Sequence, residues 1–304
     1  MEFGRLTNID HIDFSLPPDH PGISRILGGK RHPDPKVYVG APVWSHPGFP
    51  GKIYPPKARD RDFIRYYGQQ FNCIELNTTH YRIPQEHTVL HWKESVPDDF
   101  KFCPKIPQSI SHNRNINRCK DELHLFSQRI SLFGNKLGTT FLQLPPAFEI
   151  RYLPILTEFL ENCPIRDLAI ELRHESWFSH KEALKDLSNF LYKKEFAFNI
   201  TDVAGRRDVL HQRLTNKTAF IRFVANNLHP TDFSRMEAWA VRISHWIESG
   251  AEQIYFLMHT PDKSLTPELC IYFINYLNQL TGLQVKPPRI LIGETGLFNY
   301  TPFP

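Results

Sequence analysis

The stretch FNCIELNTTHYRIP, residues 71–84, shows the unit from which most of the chain is built. A short apolar run predicts a buried strand, and a glutamate, Glu75, lies within it. Hydrogen-bonding residues follow at once, among them Asn77, Tyr81 and Arg82. Because polar groups at the end of a buried strand lose hydration, they need partners, and the stretch predicts either ion pairs or a binding site.

The same order of apolar run, loop and amphipathic helix recurs along the chain. Eight strands are predicted, at 37–40, 72–76, 100–105, 139–144, 168–172, 196–201, 219–224 and 253–258. Seven helices alternate with them, at 60–70, 86–95, 121–134, 150–162, 180–193, 233–249 and 266–280. Eight near-continuous apolar strands alternating with helices predict an α/β fold of the (β/α)8 TIM barrel type. The phosphate-binding glycine patterns of nucleotide-binding open sheets follow none of these strands.

The barrel is predicted to occupy residues 36–283 as a single domain. Residues 1–35 are rich in Pro, Gly, His and Asp without periodicity, and they predict an irregular N-terminal extension. Residues 284–304 are expected to form a C-terminal tail that packs on the barrel, with one strand-like run, RILIG, at 289–293.

Composition limits the classes of partner and compartment. The 304 residues are 41% hydrophobic and carry a net charge of +4, so a nucleic-acid or membrane partner is not predicted. Five widely spaced cysteines without a CxxC pair indicate a reduced, cytoplasmic protein. Neither a signal peptide nor a membrane-spanning run is evident in the sequence.

The ends of the predicted strands carry an unusual number of polar residues. In a TIM barrel the carboxyl ends of the strands meet on the face where active sites lie. Seven consecutive strands bring polar groups there: Glu75, Asn77, Lys105, Gln143, Glu171, Arg173, His174, Asp202, Arg222, Asn226 and His259. Ion pairs such as Glu171 with Arg173, or Glu75 with Lys105, are the structural alternative for any one of them. The ring as a whole favours a binding site.

Four segments resemble, in the same order, the motifs of the YecE-like family, known as domain of unknown function 72. They are FNCIELNTTHYRIP, FKFCPKIP, LGTTFLQLPPAF and AIELRHESWF, and the resemblance covers residues 37–260. It implies a (β/α)8 barrel, while the activity of the family is not established and a relationship to sugar isomerases has been suggested. The polar motif residues of the family fall here on Glu75, Asn77, Thr79, Tyr81, Arg82, Lys105, Gln143, Glu171, Arg173, His174 and Trp177.

Three segments depart from these motifs. The family's GTSGWSY is replaced by GAPVWSH at 40–46, its R-x-HG by IRFVANN at 221–227, and its YFNN by YFLMHT at 255–260. We therefore expect the second half of the site to differ from that of other members.

Two carboxylates facing each other across a rim that also carries cations predict proton-transfer chemistry. Glu75 or Glu171 would act as the base next to a substrate carbonyl, with Lys105 as the polarising cation. The predicted function is a sugar-isomerase-like enzyme that acts on a small polar or anionic metabolite, without a cofactor. The predicted substrate-binding residues are Asn77, Tyr81, Arg82, Gln143, Arg173, His174, Trp177, Asp202 and Arg222.

A metal site is a weaker alternative. Glu171, Asp202 and His259 are acceptable ligands for a divalent ion. Lys105 and Arg173 lie close by in the predicted arrangement and would repel a cation, so a site without metal is favoured.

Two further classes stay open. A non-catalytic protein would use Lys105, Arg173 and Arg82 to hold an anionic metabolite or a nucleic-acid end. A glycosidase would use Glu75 and Glu171, provided that the two carboxyl groups stand about 5–9 Å apart. The oligomeric state is not predicted.

Overall fold

The computed structural model of the chain describes residues 3–291. These residues form a mixed α/β fold whose paired strands are all parallel, which confirms the α/β part of the prediction. The described strands are β1 (Lys36–Ala41), β2 (Cys73–Leu76), β3 (Lys101–Pro104), β4 (Thr140–Gln143), β5 (Leu168–Glu171), β6 (Ala197–Phe198), β7 (Ile200–Asp202), β8 (Thr218–Val224) and β9 (Gln253–His259).

The described α-helices pack around these strands and overlap all seven predicted helices. They are α1 (Ile23–Leu27), α2 (Phe63–Gln70), α3 (Thr78–Tyr81), α4 (Glu86–Glu94), α5 (Gln108–Ser111), α6 (Lys120–Ser131), α7 (Leu153–Glu161), α8 (Ser176–Ser179), α9 (Lys181–Lys194), α10 (Pro230–Ser249) and α11 (Thr266–Thr281). No helix within residues 3–291 has the length and apolar character needed to span a membrane.

The strands are divided between two sheets. One has six strands in the order β3-β2-β1-β9-β8-β7, and the other has three in the order β4-β5-β6. Between them, β3 approaches β4 through isolated bridges at Phe102–Leu137 and Lys105–Phe141. Ile106 N also donates to Phe141 O at 3.0 Å across the same junction.

The predicted sixth strand, residues 196–201, is not continuous as expected. It breaks at Asn199, which separates β6 from β7. The backbone N–H of Asn199 still donates to Ile170 O of β5 at 2.9 Å, whereas Ile200 already pairs with Ile221 of β8. The segment therefore changes its neighbour at this residue, and the interruption brings the Asn199 side chain into the region described below.

Helix α10 begins three residues before its predicted start. His229 caps it, because the imidazole Nδ1 accepts from the backbone N–H of Thr231 and the Asp232 side chain accepts from the His229 N–H. Histidine is not among the residues that usually mark a helix N-terminus, so the sequence pattern did not identify this first turn. Gly250, in the left-handed region at φ 116°, ends the helix as expected.

The main core fills the space between strands and helices with large apolar side chains. Trp239 and Trp246 of α10 are fully buried, and the rings of Phe256 and Phe273 stack with their centroids 3.9 Å apart. A second, smaller cluster joins side chains of both sheets on the face away from the helices: Cys73, Cys103, Phe141, Ala169, Ala197, Phe220, Tyr255 and Leu257.

The two terminal segments lie against this body. Residues 3–35 are irregular apart from α1, and Ile9, Ile23 and Leu27 are buried. Near the other end, Asn278 Nδ2 donates to Val285 O at 2.8 Å. Residues 289–291 of the predicted RILIG strand are not in a strand, and the remainder of the predicted tail, 292–304, lies outside the described residues.

Candidate functional site

Arg222 of β8 lies at the centre of a buried ion-pair cluster at the carboxyl ends of the strands, with its side chain only 1% exposed. Its Nε and Nη2 donate to the two oxygens of Glu75, each at 2.9 Å. Its Nη1 donates to Glu171 Oε2 at 2.6 Å. One guanidinium thus joins a carboxylate of the six-stranded sheet to a carboxylate of the three-stranded sheet.

Glu75 receives four hydrogen bonds, two on each oxygen. Besides Arg222, Asn77 Nδ2 donates to Oε1 at 2.9 Å, and His259 Nε2 lies 2.7 Å from Oε2. Burial alone would raise the pKa of Glu75, but the charge of Arg222 and the hydrogen bonds outweigh it and hold this pKa well below its usual value. Burial also lowers the pKa of His259, so the imidazole is neutral at pH 7 and donates its Nε2 proton to Glu75.

Glu171 is saturated in the same way. Gln143 Nε2 and Arg173 Nε donate to Oε1 at 2.9 and 2.7 Å. Asn199 Nδ2 donates to Oε2 at 3.0 Å, beside Arg222. Burial opposes ionisation, yet the two arginines and these hydrogen bonds lower the pKa of Glu171 to about 2.

Lys105, which directly follows β3, is a buried lysine whose pKa lies near neutral pH. Burial is the main cause and the charge of Arg222 adds to it, so that the pKa of Lys105 is lowered to about 8 although Glu75 and Glu171 oppose the shift. Its Nζ donates to Gln143 Oε1 at 2.7 Å, which is the one hydrogen bond this ammonium makes to residues 3–291. Two of its three donor positions are therefore available to a bound molecule.

These side chains form the floor of an open cavity of about 550 Å³, called here the carboxyl-end cavity. The floor consists of Glu75, Lys105, Gln143, Arg173, Arg222 and His259. The mouth is lined by Trp44, Asn77, Tyr81 and Arg82, of which Tyr81 is 73% exposed. Most of the predicted site residues thus lie around one cavity, and Glu171 lies directly beneath it through its bond to Arg222.

Asp202 is not brought to the carboxyl-end cavity. Its carboxylate is fully buried on the helix side of β7, where Arg235 Nη2 and Trp239 Nε1 of α10 donate to it at 2.8 and 2.7 Å. Arg207 also donates to it. The cause is the alternation of side chains along a strand: Thr201 is in register with Arg222 and shares its face, so the next residue points the opposite way.

His174 and Trp177 also lie elsewhere. The His174 ring folds onto its own turn, where Nδ1 accepts from the Ser176 backbone N–H at 3.1 Å. Trp177 is fully buried, and its Nε1 donates to Phe148 O at 2.6 Å. Both residues fix the conformation of the chain after β5 rather than line the cavity.

The suggested ion pairs are found in part. Arg173 pairs with Glu171, as expected. Glu75 pairs with Arg222 instead of Lys105, because the Arg222 side chain lies between the two carboxylates.

Sequence reasoning missed one member of the cluster and did not count another among the site residues. Asn199 was not considered, although a polar residue in the middle of the apolar run FAFNIT was a signal. His259 was noted only as a strand end and possible metal ligand, yet it contacts Glu75 directly. The N-terminal segment was also unexpected here: the guanidinium carbon of Arg173 lies 4.4 Å from the centre of the Phe3 ring.

The alternative metal set is not assembled. Glu171 is directed to Arg222 and Arg173, whereas Asp202 is held on the far side of its strand by Arg235. Within residues 3–291, no three His, Cys, Asp or Glu side chains converge in a way that could hold a metal ion.

Comparison with known proteins places these features in context. Residues 38–290 match the family described as "Protein of unknown function DUF72". The chain is 31% identical over 252 residues to UPF0759 protein YecE of Escherichia coli K12, covering 77% of this chain and 89% of the relative. It is 28% identical over 154 residues to UPF0759 protein YunF of Bacillus subtilis, covering 47% and 52% of the two chains.

A solved structure shares the fold. The crystal structure of a DUF72 family protein from Enterococcus faecalis V583 superposes with a TM-score of 0.62 at 17% sequence identity. The match covers 83% of this chain and all of the other.

Proposed function

The chain belongs to the DUF72 family of proteins of unknown function, and from this premise we propose that it is an enzyme that transfers protons on a small anionic, sugar-like metabolite. The metabolite binds in the carboxyl-end cavity. The observation that carries the proposal is Lys105, a buried lysine with a pKa of about 8 on the floor of a cationic cavity. Perturbed pKa values of this kind concentrate at functional sites.

The charge of the cavity favours an anionic ligand. Three buried cations, Lys105, Arg173 and Arg222, stand against two carboxylates, Glu75 and Glu171, which leaves a net charge of +1. Arg82 at the mouth adds a further positive charge. A phosphate or carboxylate group would neutralise the remaining positive charge. The cavity volume of about 550 Å³ also falls within the range of about 300–1,000 Å³ typical of metabolite sites.

Lys105 suits the role of proton-transfer group better than the two glutamates that the sequence suggested. A general base works best when its pKa lies near the working pH. Glu75 and Glu171 have pKa values far below that range, and each already accepts four hydrogen bonds. We assign them the role of fixed anions that orient Arg222 and Arg173.

The proposed step is proton abstraction next to a carbonyl. The neutral amine of Lys105 takes a proton from the carbon atom beside the carbonyl group, and the electron pair moves onto the carbonyl oxygen. The guanidinium of Arg222 or Arg173 stabilises the resulting negative charge. The hydroxyl proton on the deprotonated carbon moves to the former carbonyl oxygen, and the Lys105 ammonium delivers its proton to the former carbonyl carbon. A carbonyl group thereby forms on the neighbouring carbon, which converts an aldose into a ketose or the reverse.

The glycosidase alternative loses support from the same geometry. Such an enzyme needs a carboxylic acid with a raised pKa to protonate the leaving group. In Glu75 and Glu171 the pKa is lowered instead.

The test is hydrogen exchange by the full-length protein. Fructose 6-phosphate, glucose 6-phosphate and ribose 5-phosphate are incubated in D2O, and proton NMR follows the signal of the hydrogen next to the carbonyl carbon. We expect faster exchange than in buffer for at least one of them, with inhibition by inorganic phosphate. Binding measured by calorimetry without exchange of any of the three would contradict the enzyme proposal.

That contradictory outcome would support the second candidate, a non-catalytic protein that binds an anionic metabolite. The full hydrogen bonding of Glu75 and Glu171 favours it, because a rigid, saturated frame serves binding equally well. Affinity would then depend on Lys105, Arg173 and Arg82, and no turnover would be found.

We also propose that the two sheets are arcs of one closed (β/α)8 barrel formed by residues 36–283, with 1–35 as an extension and 284–304 as a tail. Support comes from the bridges between β3 and β4 and from the chain continuity of β6 and β7 through Asn199. The small apolar cluster adds support, because it draws side chains from both sheets into one layer, as barrel interiors do. A crystal structure with an open, solvent-filled gap between β3 and β4 would contradict this closure.

A further inference from the structure

We infer that a second cavity, enclosed by the N-terminal segment, is a subsite for an uncharged, hydroxylated part of the ligand, so that the ligand has two parts. This inference rests on the proposed function and names the size and chemistry of its substrate. The second cavity has a volume of about 400 Å³ and lies between residues 4–9 and the loops that follow β8 and β9. Neither the predicted site residues nor the proposed proton transfer accounts for it.

The second cavity adjoins the carboxyl-end cavity through one side chain. His259, which is 95% buried and hydrogen bonded to Glu75, lines both cavities. In this proposal, a molecule with its anionic group near Lys105 and Arg173 extends past His259 toward the N-terminal segment. The two cavities together have the volume for a ligand larger than a single sugar ring.

The outer wall of the second cavity is fixed to the body of the protein. The Phe3 ring stacks on the guanidinium groups of Arg173 and Arg206 at 4.4 and 4.8 Å. Gly4 O accepts from the Gly205 N–H at 2.8 Å. Gly4 lies in the left-handed region at φ +69°, and a Cβ there would stand 2.9 Å from Val203 Cγ1, so this contact requires glycine. The wall is therefore held to the body of the protein at its N-terminal end.

The inner wall includes a strained bend. Asn227 and Leu228, after β8, both have positive φ, at 58° and 64°, and such a conformation is uncommon for leucine. Asp232 holds the bend by accepting from the backbone N–H groups of Asn226 and His229. Strain of this kind is found where a chain must present groups to a ligand.

The lining indicates the class of the bound group. Hydroxyl, amide and imidazole groups alternate with small apolar surfaces, as on Thr7, Asn227, His229, Val224 and Pro261. Within the described residues, no aspartate or glutamate lines this cavity and Arg5 is the one formally charged side chain. Such a mixture fits a sugar ring, which has hydroxyl groups at its edge and C–H groups on its faces.

The test compares one-ring and two-ring ligands of equal charge by calorimetry on the full-length protein. Glucose 6-phosphate is the one-ring probe and trehalose 6-phosphate the two-ring probe. We expect the wild-type protein to bind trehalose 6-phosphate tighter by about tenfold or more, because the second ring makes additional contacts.

Thr7→Trp fills the second cavity from an exposed position and should not disturb folding. It should abolish the preference for trehalose 6-phosphate and leave the affinity for glucose 6-phosphate unchanged. His11→Trp is the matched control, because His11 is exposed on the same segment and does not line the cavity. It should behave like the wild-type protein.

The outcomes separate this inference from the proposed function. Equal affinity of the wild-type protein for the two probes, or a preference that survives Thr7→Trp, would overturn the subsite and leave the proton-transfer proposal intact. Failure of both probes to bind would overturn the subsite together with the sugar phosphate class.

Discussion

Replacement of Arg222 by methionine is expected to lower the free energy of unfolding at pH 7 by about 3–5 kcal/mol, the usual effect of breaking a buried ion pair on one side. The variant keeps most of the volume of the side chain but leaves Glu75 and Glu171 buried without their shared cation. The loss is therefore electrostatic, and urea unfolding followed by circular dichroism would measure it. Arg61→Met, at an exposed arginine, is the control and should change stability by less than about 0.5 kcal/mol.

The pH dependence should change sign in this variant. In the wild-type protein the pKa of Glu171 is lowered to about 2 and that of Glu75 lies well below its usual value. The ionised carboxylates therefore contribute fully to stability above about pH 4.3, the pKa of glutamate in the unfolded chain. This contribution is lost as the pH falls from there toward 2. Without Arg222, Glu75 keeps no arginine or lysine partner among residues 3–291, so burial raises its pKa, whereas Glu171 keeps its ion pair with Arg173. The variant should therefore lose stability as the pH rises from 5 to 8.

A double variant, Arg222→Met with Glu75→Gln, separates charge from packing. It removes one buried cation together with one buried carboxylate and leaves Glu171 paired with Arg173, so most of the lost stability should return and the pH dependence caused by Glu75 should disappear. An Arg222→Met protein as stable as the wild type, or a double variant no better than the single one, would show that the cluster does not act as a balanced set of charges.

The location of this cluster was readable from the sequence to a considerable extent. The strand periodicity placed Glu75, Lys105, Gln143 and Glu171 at strand ends, and the carboxyl ends of parallel strands do bring them together. Each of these residues lies two positions after a member of the small apolar cluster and therefore shares the same face of the strand. The four cluster members are Cys73, Cys103, Phe141 and Ala169. Along the inner face of the strands, a layer of apolar side chains is therefore followed, toward the carboxyl ends, by a layer of polar side chains.

The errors come from positions where this alternation was not applied. Asp202 and His174 are strand-end residues of the opposite parity, and they point away from the cavity. Asn199 has the inner parity, two residues after Ala197, but it was not considered because it lies inside the predicted strand 196–201 and not at its end. The pairing of Glu75 with Arg222, 147 positions apart, was beyond prediction because it depends on which of several cations reaches furthest across the strands.

The roles of the acidic and basic groups could not be read from residue types. Glutamate is the usual choice for a base, and the sequence offered two. The partners decide the role of each group. The charge of Arg222, together with the hydrogen bonds, lowers the pKa of each carboxylate, whereas burial with a single hydrogen-bond partner lowers the pKa of Lys105 to about 8. The structure thereby transfers the proposed acid-base role from Glu75 and Glu171 to Lys105.

Lys105→Met should reduce the hydrogen exchange of the sugar phosphate probes by about 100-fold to 10,000-fold, the usual contribution of a general base. In the wild-type protein the rate should rise with pH and level off above about 8, because only the neutral amine accepts a proton and its pKa is about 8. Lys101→Met is the matched control, since Lys101 begins the same strand at its far end and donates to Asn135 O outside the cavity. Its exchange rate and pH profile should equal those of the wild-type protein.

Lys105→Arg distinguishes the base from a mere anion contact. Arginine keeps the positive charge at this position, but it stays protonated at every pH used, so it cannot accept a proton. We therefore expect glucose 6-phosphate to bind the arginine variant within about threefold of the wild-type affinity, a change of less than 1 kcal/mol, while exchange is lost. An arginine variant that still exchanges at the wild-type rate would exclude Lys105 as the base. A variant that loses binding and exchange together would instead assign Lys105 to ligand positioning.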